Sequence, residues 1–72
     1  MVKMEKVISG RISEIGYDSN ESDLYIRFKT NNALYKYYDV PMEVFVGLKA
    51  ALSPGTYFGK EIKGIYSYEK VV

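Results

Sequence analysis

The sequence predicts an α+β domain in which a three-stranded antiparallel β-meander is followed by one or two short helices packed on one face. Two observations carry this prediction: alternating apolar and polar residues dominate the first half of the chain, and apolar residues at spacings of three and four dominate the second. We interpret residues 1–72 as a single domain, because no linker-like segment interrupts them and their number is near the lower limit for one hydrophobic core.

The first strand and the turn after it are predicted from composition. Residues 6–17 carry regularly spaced Val, Ile and Tyr, with Gly10 and Gly16 as expected irregularities in the strand. Residues 18–23 are all polar, and five of the six belong to types that form local side-chain to backbone hydrogen bonds, so they predict a turn or short loop.

The clearest strand signal is the uninterrupted alternation of apolar and polar side chains over residues 24–29. A turn at residues 30–32 follows, since asparagine tolerates the left-handed backbone conformation that tight hairpins require. Residues 33–38 then return as the third strand. The apolar side chains of the second strand that we expect to face the core are Leu24, Ile26 and Phe28.

Two prolines predict the helix starts. Pro41 suits the first position of one helix, and Ser53 with Pro54 suits the cap and first position of another. The second helix is expected to end near Lys63, with Gly64 as its carboxyl cap. Residues 65–72 fit either a short last strand or an extended segment. The apolar stripe of the first helix comprises Val44, Phe45, Leu48, Ala51 and Leu52.

Composition excludes several classes of function. The chain has no Cys and no His, which removes disulfides, thiol chemistry, the usual zinc sites and the usual general base near neutral pH. A net charge of +1 argues against tight, nonspecific binding to DNA. No apolar run approaches the roughly 20 residues of a membrane span, and the amino terminus lacks a signal-peptide apolar region. We therefore predict a cytoplasmic protein with no membrane association, metal or cofactor.

An enzymatic function is not predicted. The acidic residues on the predicted helices and in the first loop show no spacing that implies a shared acid–base site. Residues 55–60 end in Gly-Lys, as phosphate-binding loops do, but the Ser or Thr that should follow is missing.

Several short motifs occur in an order that resembles the KTSC domain family. They are Gly16-Tyr17-Asp18, Tyr35-Lys36-Tyr37, Val40-Pro41, Ser53, Gly55, Tyr57-Phe58 and Ile62. The resemblance extends from about Val7 to Tyr68. It implies a small domain that occurs alone in bacteria and phages and also at the carboxyl end of some lysyl-tRNA synthetases, a context that suggests RNA binding. The sequence departs from the family pattern at Pro54 and at Gly59, where many relatives carry Asn.

The face on which Tyr35 and Tyr37 lie decides how the tyrosine-rich third strand is interpreted. If Leu34 marks the apolar face of this strand, Tyr35 and Tyr37 join Tyr25 and Arg27 on an exposed sheet face, where single-stranded RNA could stack. Otherwise the two tyrosines pack against the helices, because so small a core needs nearly every large side chain.

The sequence therefore predicts a noncatalytic binding module, with RNA, including tRNA, as the first ligand class. A protein partner or self-association is the alternative, since tyrosines are common anchors of protein interfaces and edge strands can pair between copies. The candidate RNA-binding residues are Tyr25, Arg27, Tyr35, Lys36, Tyr37, Lys60 and Lys63.

Overall fold

Five antiparallel strands lie side by side in chain order, and two helices cover one face of the sheet. The computed structural model describes residues 2–72. Over that range neither helix is long and apolar enough to cross a membrane. The elements are β1 (Glu5–Lys6), β2 (Ile12–Asp18), β3 (Asp23–Phe28), β4 (Leu34–Tyr37), α1 (Met42–Ala50), α2 (Pro54–Glu61) and β5 (Tyr68–Lys70).

The α+β class and the central meander are confirmed, but the sheet has five strands where three were predicted. The predicted first strand divides into β1 and β2, which pair with each other across a loop at residues 7–11. In that loop the Ser9 hydroxyl accepts hydrogen bonds from the backbone N–H groups of Arg11 and Ile12, at 3.1 and 3.3 Å. The fifth strand, β5, lies in the terminal segment, for which a short strand and an extended segment were both predicted as alternatives. It pairs with β4.

Both predicted polar turns are present, and a side chain stabilises each of them. In the turn between β2 and β3, the carboxylate of Asp18 accepts from the backbone N–H of Asn20 at 3.0 Å. In the turn between β3 and β4, the side-chain oxygen of Asn31 accepts from the backbone N–H of Ala33 at 3.1 Å. Asn32 adopts the left-handed conformation with φ 59°, as expected for asparagine in a tight turn.

The core lies between the sheet and the two helices. Because directly paired residues of neighbouring strands share a face, Ile15, Ile26 and Tyr35 form one row across β2, β3 and β4 on the helix-covered side. Leu48 of α1 and Ile62 after α2 close over this face and are fully buried. The remaining members of the core cluster are Ile12, Leu24, Tyr37, Val40 and Phe58.

The helices begin close to the predicted prolines but end earlier than predicted. Pro41 is the amino-terminal cap of α1 rather than its first residue, and Pro54 is the first residue of α2, as predicted. Leu52 was predicted to belong to the apolar stripe of the first helix. Because α1 ends at Ala50, Leu52 lies beyond the helix and is fully exposed. Gly64 follows the end of α2 with a left-handed φ of 79°.

The motif residues Tyr17 and Val40 are joined by a hydrogen bond. The Tyr17 hydroxyl donates to the backbone carbonyl of Val40, just before α1. The Tyr17 ring also stacks on Phe45 of α1, with ring centroids 5.3 Å apart. These contacts attach the start of α1 to β2, which gives a structural reason for a tyrosine in that motif.

Two glycines of the α2 region are expected to respond oppositely to alanine. Gly59 lies in α2 with nothing within 4 Å of an added methyl, so Gly59→Ala should stabilise the fold by about 0.5–1 kcal/mol. Gly64 has equal space, but its positive φ strains any larger residue, so Gly64→Ala should cost about 1 kcal/mol or more. Urea unfolding of both variants measures the difference, and equal effects would contradict the backbone conformations described here.

Candidate functional site

The strand register places Tyr35 and Tyr37 on the helix-covered face of the sheet. Tyr35 pairs with Ile26, and Tyr37 pairs with Leu24. The placement that joined them to Tyr25 and Arg27 on the exposed face is therefore wrong, and the alternative, packing on the helix side, is confirmed. That placement assumed that Leu34 faces the core. Leu34 instead pairs with Arg27 and lies with it on the exposed face.

On the helix side, five aromatic rings contact one another in a closed cycle. The ring centroids of successive pairs are 5.3–5.7 Å apart, and the cycle runs through β3, β4, β5 and α2. The tilted and edge-to-face geometries are those that aromatic pairs prefer. In order around the cycle, the residues are Phe28, Tyr35, Tyr68, Tyr37 and Phe58.

These five rings line a pocket of about 340 Å³, which we call the aromatic pocket. Tyr37 and Phe58 are buried, whereas Tyr68 is 58% exposed, so the pocket has buried walls and an accessible rim. None of the lining residues in the described part of the chain is acidic. The other lining residues are Arg11, Thr30, Asn31, Lys63 and Gly64.

The two cations of the aromatic pocket come from different segments of the chain. Arg11 precedes β2, and its Cδ atom lies 3.6 Å from where a Cβ on Gly55 of α2 would be. Lys63 follows α2, where its backbone N–H donates to the carbonyl of Phe58 at 2.9 Å. Within residues 2–72 neither cation forms an ion pair. The pocket therefore combines aromatic walls with two positive charges that have no carboxylate partner there.

The hydroxyl of Tyr37, which lines this pocket, stays uncharged over a wide range of pH. Burial, with smaller contributions from Tyr68 and Tyr35, raises the pKa of Tyr37 to about 12. The phenol therefore stays protonated at neutral pH and well above it.

This pKa predicts a loss of stability in alkali. An unfolded tyrosine ionises near pH 10, so between about pH 10 and 12 the unfolded chain releases a proton that folded Tyr37 retains. The free energy of unfolding should be unaffected by this group below about pH 10 and should fall as pH rises towards 12. Urea unfolding at several alkaline pH values measures how steeply the free energy of unfolding falls with pH. Tyr37→Phe should reduce this slope, and an unchanged slope would contradict the assignment of the pH dependence to Tyr37.

The exposed face of the sheet carries charges of both signs. Arg27 is ion-paired with Glu14 at 3.3 Å, and its guanidinium also donates to the carbonyl of Asn32 at 2.9 Å. A hydrogen bond with the Glu69 side chain raises the pKa of Tyr38 on this face to about 12. The positive charges of this face therefore have carboxylates close to them.

The aromatic rings of the exposed face already have a cation as neighbour. The Lys36 ammonium lies 5.9 Å from the ring centroid of Tyr25 and 5.3 Å from that of Tyr38, within cation–π range of both. A stacked base would have to displace Lys36. Close to these residues, a Cβ on Gly16 would lie 2.7 Å from side-chain atoms of Val2 and Met4, so the amino-terminal segment covers that part of the face.

The seven residues proposed from sequence thus divide between two faces. Tyr35, Tyr37 and Lys63 come together in the aromatic pocket, whereas Lys60 is exposed on α2 and does not line it. The remaining three lie on the opposite face of the sheet: Tyr25, Arg27 and Lys36.

Seven of the ten residues that line the aromatic pocket were not among the candidates proposed from sequence. Phe28 was assigned to the core alone, and Arg11 was not singled out. Tyr68 could have been noticed, because it belongs to a second Tyr-x-Tyr string at strand spacing.

The antiparallel sheet and the two helices on one of its faces define this chain as a small α+β domain, and an aromatic pocket lies between them. The family model of the KTSC domain matches residues 8–68, so the chain belongs to the KTSC domain family. This confirms the resemblance seen in the sequence motifs.

Relatives occur both as small proteins and within a larger enzyme. A protein from Tsukamurella paurometabola is 45% identical over 60 residues, covering 83% of this chain and 88% of its own. A lysine–tRNA ligase from Trichormus variabilis is 38% identical over 60 residues, which are 83% of this chain and 10% of the ligase. The crystal structure of a KTSC domain protein from Yersinia pestis has a TM-score of 0.95 and 32% identity, over 100% of both chains.

Proposed function

We propose that this domain is a noncatalytic RNA-binding module that holds an unpaired base in the aromatic pocket. The observation that carries the proposal is the set of five contacting aromatic rings that line a pocket of about 340 Å³. Single-stranded RNA is recognised mainly by stacking splayed bases on aromatic side chains, at about 1–3 kcal/mol per base.

Charge favours a nucleotide over the other ligands that aromatic pockets accept. Aromatic cages also bind quaternary ammonium groups, but Arg11 and Lys63 would repel a cation at this pocket. The same two side chains suit an RNA strand, because they can neutralise phosphates next to an inserted base.

The relatives support the same ligand class. A segment similar to this chain forms a tenth of a protein named lysine–tRNA ligase. An enzyme that acts on tRNA is a context in which an additional RNA-binding domain would be useful. In this proposal Tyr35, Tyr37 and Lys63 contact RNA, whereas Tyr25, Arg27 and Lys36 are not required.

The salt dependence of binding tests the proposal. Fluorescence anisotropy with labelled single-stranded RNA pentamers should show binding at low salt that weakens as salt rises. Two phosphate contacts predict a slope of about −1.4 in a plot of log affinity against log salt concentration, since each contact on a single strand contributes about −0.7.

Two lysines of the α2 region provide matched variants for this titration. Lys63→Met should reduce the slope by about 0.7, whereas Lys60→Met, which removes the same charge outside the pocket, should leave it unchanged. Absence of binding at low salt would contradict the proposal. Equal effects of both variants would contradict the placement of the strand.

A protein partner remains the second candidate, favoured by one surface feature. Ile8 and Leu52 are large aliphatic residues that are 97% and 103% exposed, and both line a groove between the β1–β2 loop and the α1–α2 connection. Sedimentation velocity across a wide range of protein concentrations tests self-association through this groove. A concentration-independent monomer would exclude self-association, and an Ile8→Ser variant serves as the comparison if a dimer forms.

A further inference from the structure

The aromatic pocket takes one of its walls from β5, a strand whose three residues are all exposed. Val71 and Val72, which follow it, are 43% and 72% exposed. β5 lies at an edge of the sheet, where it pairs with β4. An element with few buried apolar contacts and solvent-exposed backbone hydrogen bonds opens at a low free-energy cost. We therefore expect β5 to leave β4 more often than the core unfolds.

Backbone hydrogen bonds near both ends of β5 hold this segment on β4. The Val71 N–H donates to the carbonyl of Leu34 at 2.7 Å, and the Tyr38 N–H donates to the carbonyl of Ser67 at 2.9 Å. Tyr66, which precedes the segment, packs against the core cluster. The part of the chain that can open without disturbing the core is therefore residues 67–72.

Tyr68 connects the position of β5 to the occupancy of the pocket. Its ring centroid lies 5.4 Å from that of Tyr37 and 5.7 Å from that of Tyr35, and it lines the pocket although the residue is 58% exposed. A ligand in the pocket covers part of this exposed ring, and that contact is lost when β5 leaves β4. Because a ligand shifts an equilibrium towards the state that it binds better, an occupant of the pocket favours the closed arrangement.

We propose that residues 67–72 form a strap that opens and closes at the aromatic pocket and is held closed by a bound RNA base. In the open state the pocket lacks its Tyr68 wall and one edge of β4 is unpaired. In the closed state the strap completes the pocket around the ligand. This inference rests on the proposed function, since it takes RNA as the ligand.

Amide hydrogen exchange, followed by NMR on ¹⁵N-labelled protein, measures the opening of the strap. The reporters are the amides of Tyr38 and Val71, whose hydrogen bonds join the strap to β4. The Phe28 amide reports on the core, because it donates to the carbonyl of Ala33 within the β3–β4 hairpin. In the free protein the two strap amides should exchange at similar rates, about tenfold or more faster than that of Phe28.

Repeating the measurement with pentauridylate tests the coupling to the pocket. At an RNA concentration about ten times the Kd, exchange of the Tyr38 and Val71 amides should slow about tenfold, since opening then requires loss of the ligand. The control is the amide of Val7, which donates to the carbonyl of Ser13 at 3.2 Å at the opposite edge of the sheet. Its exchange rate should stay unchanged.

Two substitutions of Val71 verify that the strap amides report on one opening. Val71→Pro removes the N–H that donates to Leu34 and should accelerate exchange of the distant Tyr38 amide about fivefold, as the loss of one hydrogen bond predicts. Val71→Ala keeps the N–H and should leave that rate within about twofold of the wild type. Neither substitution touches the lining of the pocket.

Three results would overturn the strap while leaving RNA binding, measured by anisotropy, intact. They are equal exchange of the strap amides and the Phe28 amide in the free protein, a Tyr38 amide whose exchange is not slowed by bound RNA, and a Val7 amide slowed as much as that of Tyr38. Absence of RNA binding by anisotropy would overturn the proposed function as well.

Discussion

Replacing Ile26 with alanine is expected to lower the free energy of unfolding by about 2–5 kcal/mol. Ile26 is fully buried on the middle strand, between Ile15 on β2 and Tyr35 on β4, so the truncated side chain leaves a cavity that the sheet cannot close. A domain of this length has a net stability of only a few kcal/mol. The variant should therefore be largely unfolded at room temperature, as circular dichroism and urea titration would show.

A second isoleucine makes a matched control for this experiment. Ile8 is 97% exposed in the loop between β1 and β2, so Ile8→Ala should change stability by no more than about 0.5 kcal/mol. Similar losses for Ile8→Ala and Ile26→Ala would contradict the placement of the core between the sheet and the helices.

Replacing Tyr35 with alanine is expected to weaken RNA binding by about 1–3 kcal/mol, which is roughly 5- to 150-fold in affinity. Tyr35 lines the aromatic pocket, and its ring contacts Phe28 and Tyr68 in the aromatic cycle. Tyr35→Phe keeps the ring and should retain most of the affinity. The measurement is anisotropy with a pentauridylate probe, accompanied by circular dichroism to establish that each variant is folded.

Tyr25 on the opposite face of the sheet provides the control for Tyr35. It is also a partly exposed tyrosine on a central strand, but it does not line the aromatic pocket. Tyr25→Ala should therefore leave RNA affinity within about twofold of the wild type. If Tyr25→Ala weakened binding as much as Tyr35→Ala, the exposed face would have to participate.

Local patterns were sufficient for the three central strands and the helices of this fold, but not for the separate strand β1 or for the pairing register. The alternation over residues 24–29 and the proline starts of the helices correctly indicated β3, α1 and α2. The third strand was ambiguous, because Leu34 and Tyr35 are both plausible core residues in adjacent positions. A one-residue change of register moves every side chain to the other face, and only the hairpin turn and its partner strand decide it.

The aromatic pocket could be predicted only in part because distant segments build it. Tyr35 and Tyr37 are neighbours on one strand, but Tyr68 reaches them only after β5 returns to pair with β4. Arg11 and Lys63 lie more than 50 positions apart in the sequence and meet at the pocket through the fold. Neither spacing nor composition carries that long-range information.

Mapping of amide chemical shifts during an RNA titration tests most directly whether the aromatic pocket is the RNA site. The protein, labelled with ¹⁵N, would be titrated with pentauridylate at low salt. Perturbed amides are expected around the pocket, at Tyr35, Lys63 and Tyr68 and in the turn at residues 30–32, while Tyr25 and Lys36 remain unaffected. Perturbations centred on Tyr25 and Lys36, or none at millimolar RNA, would contradict this assignment.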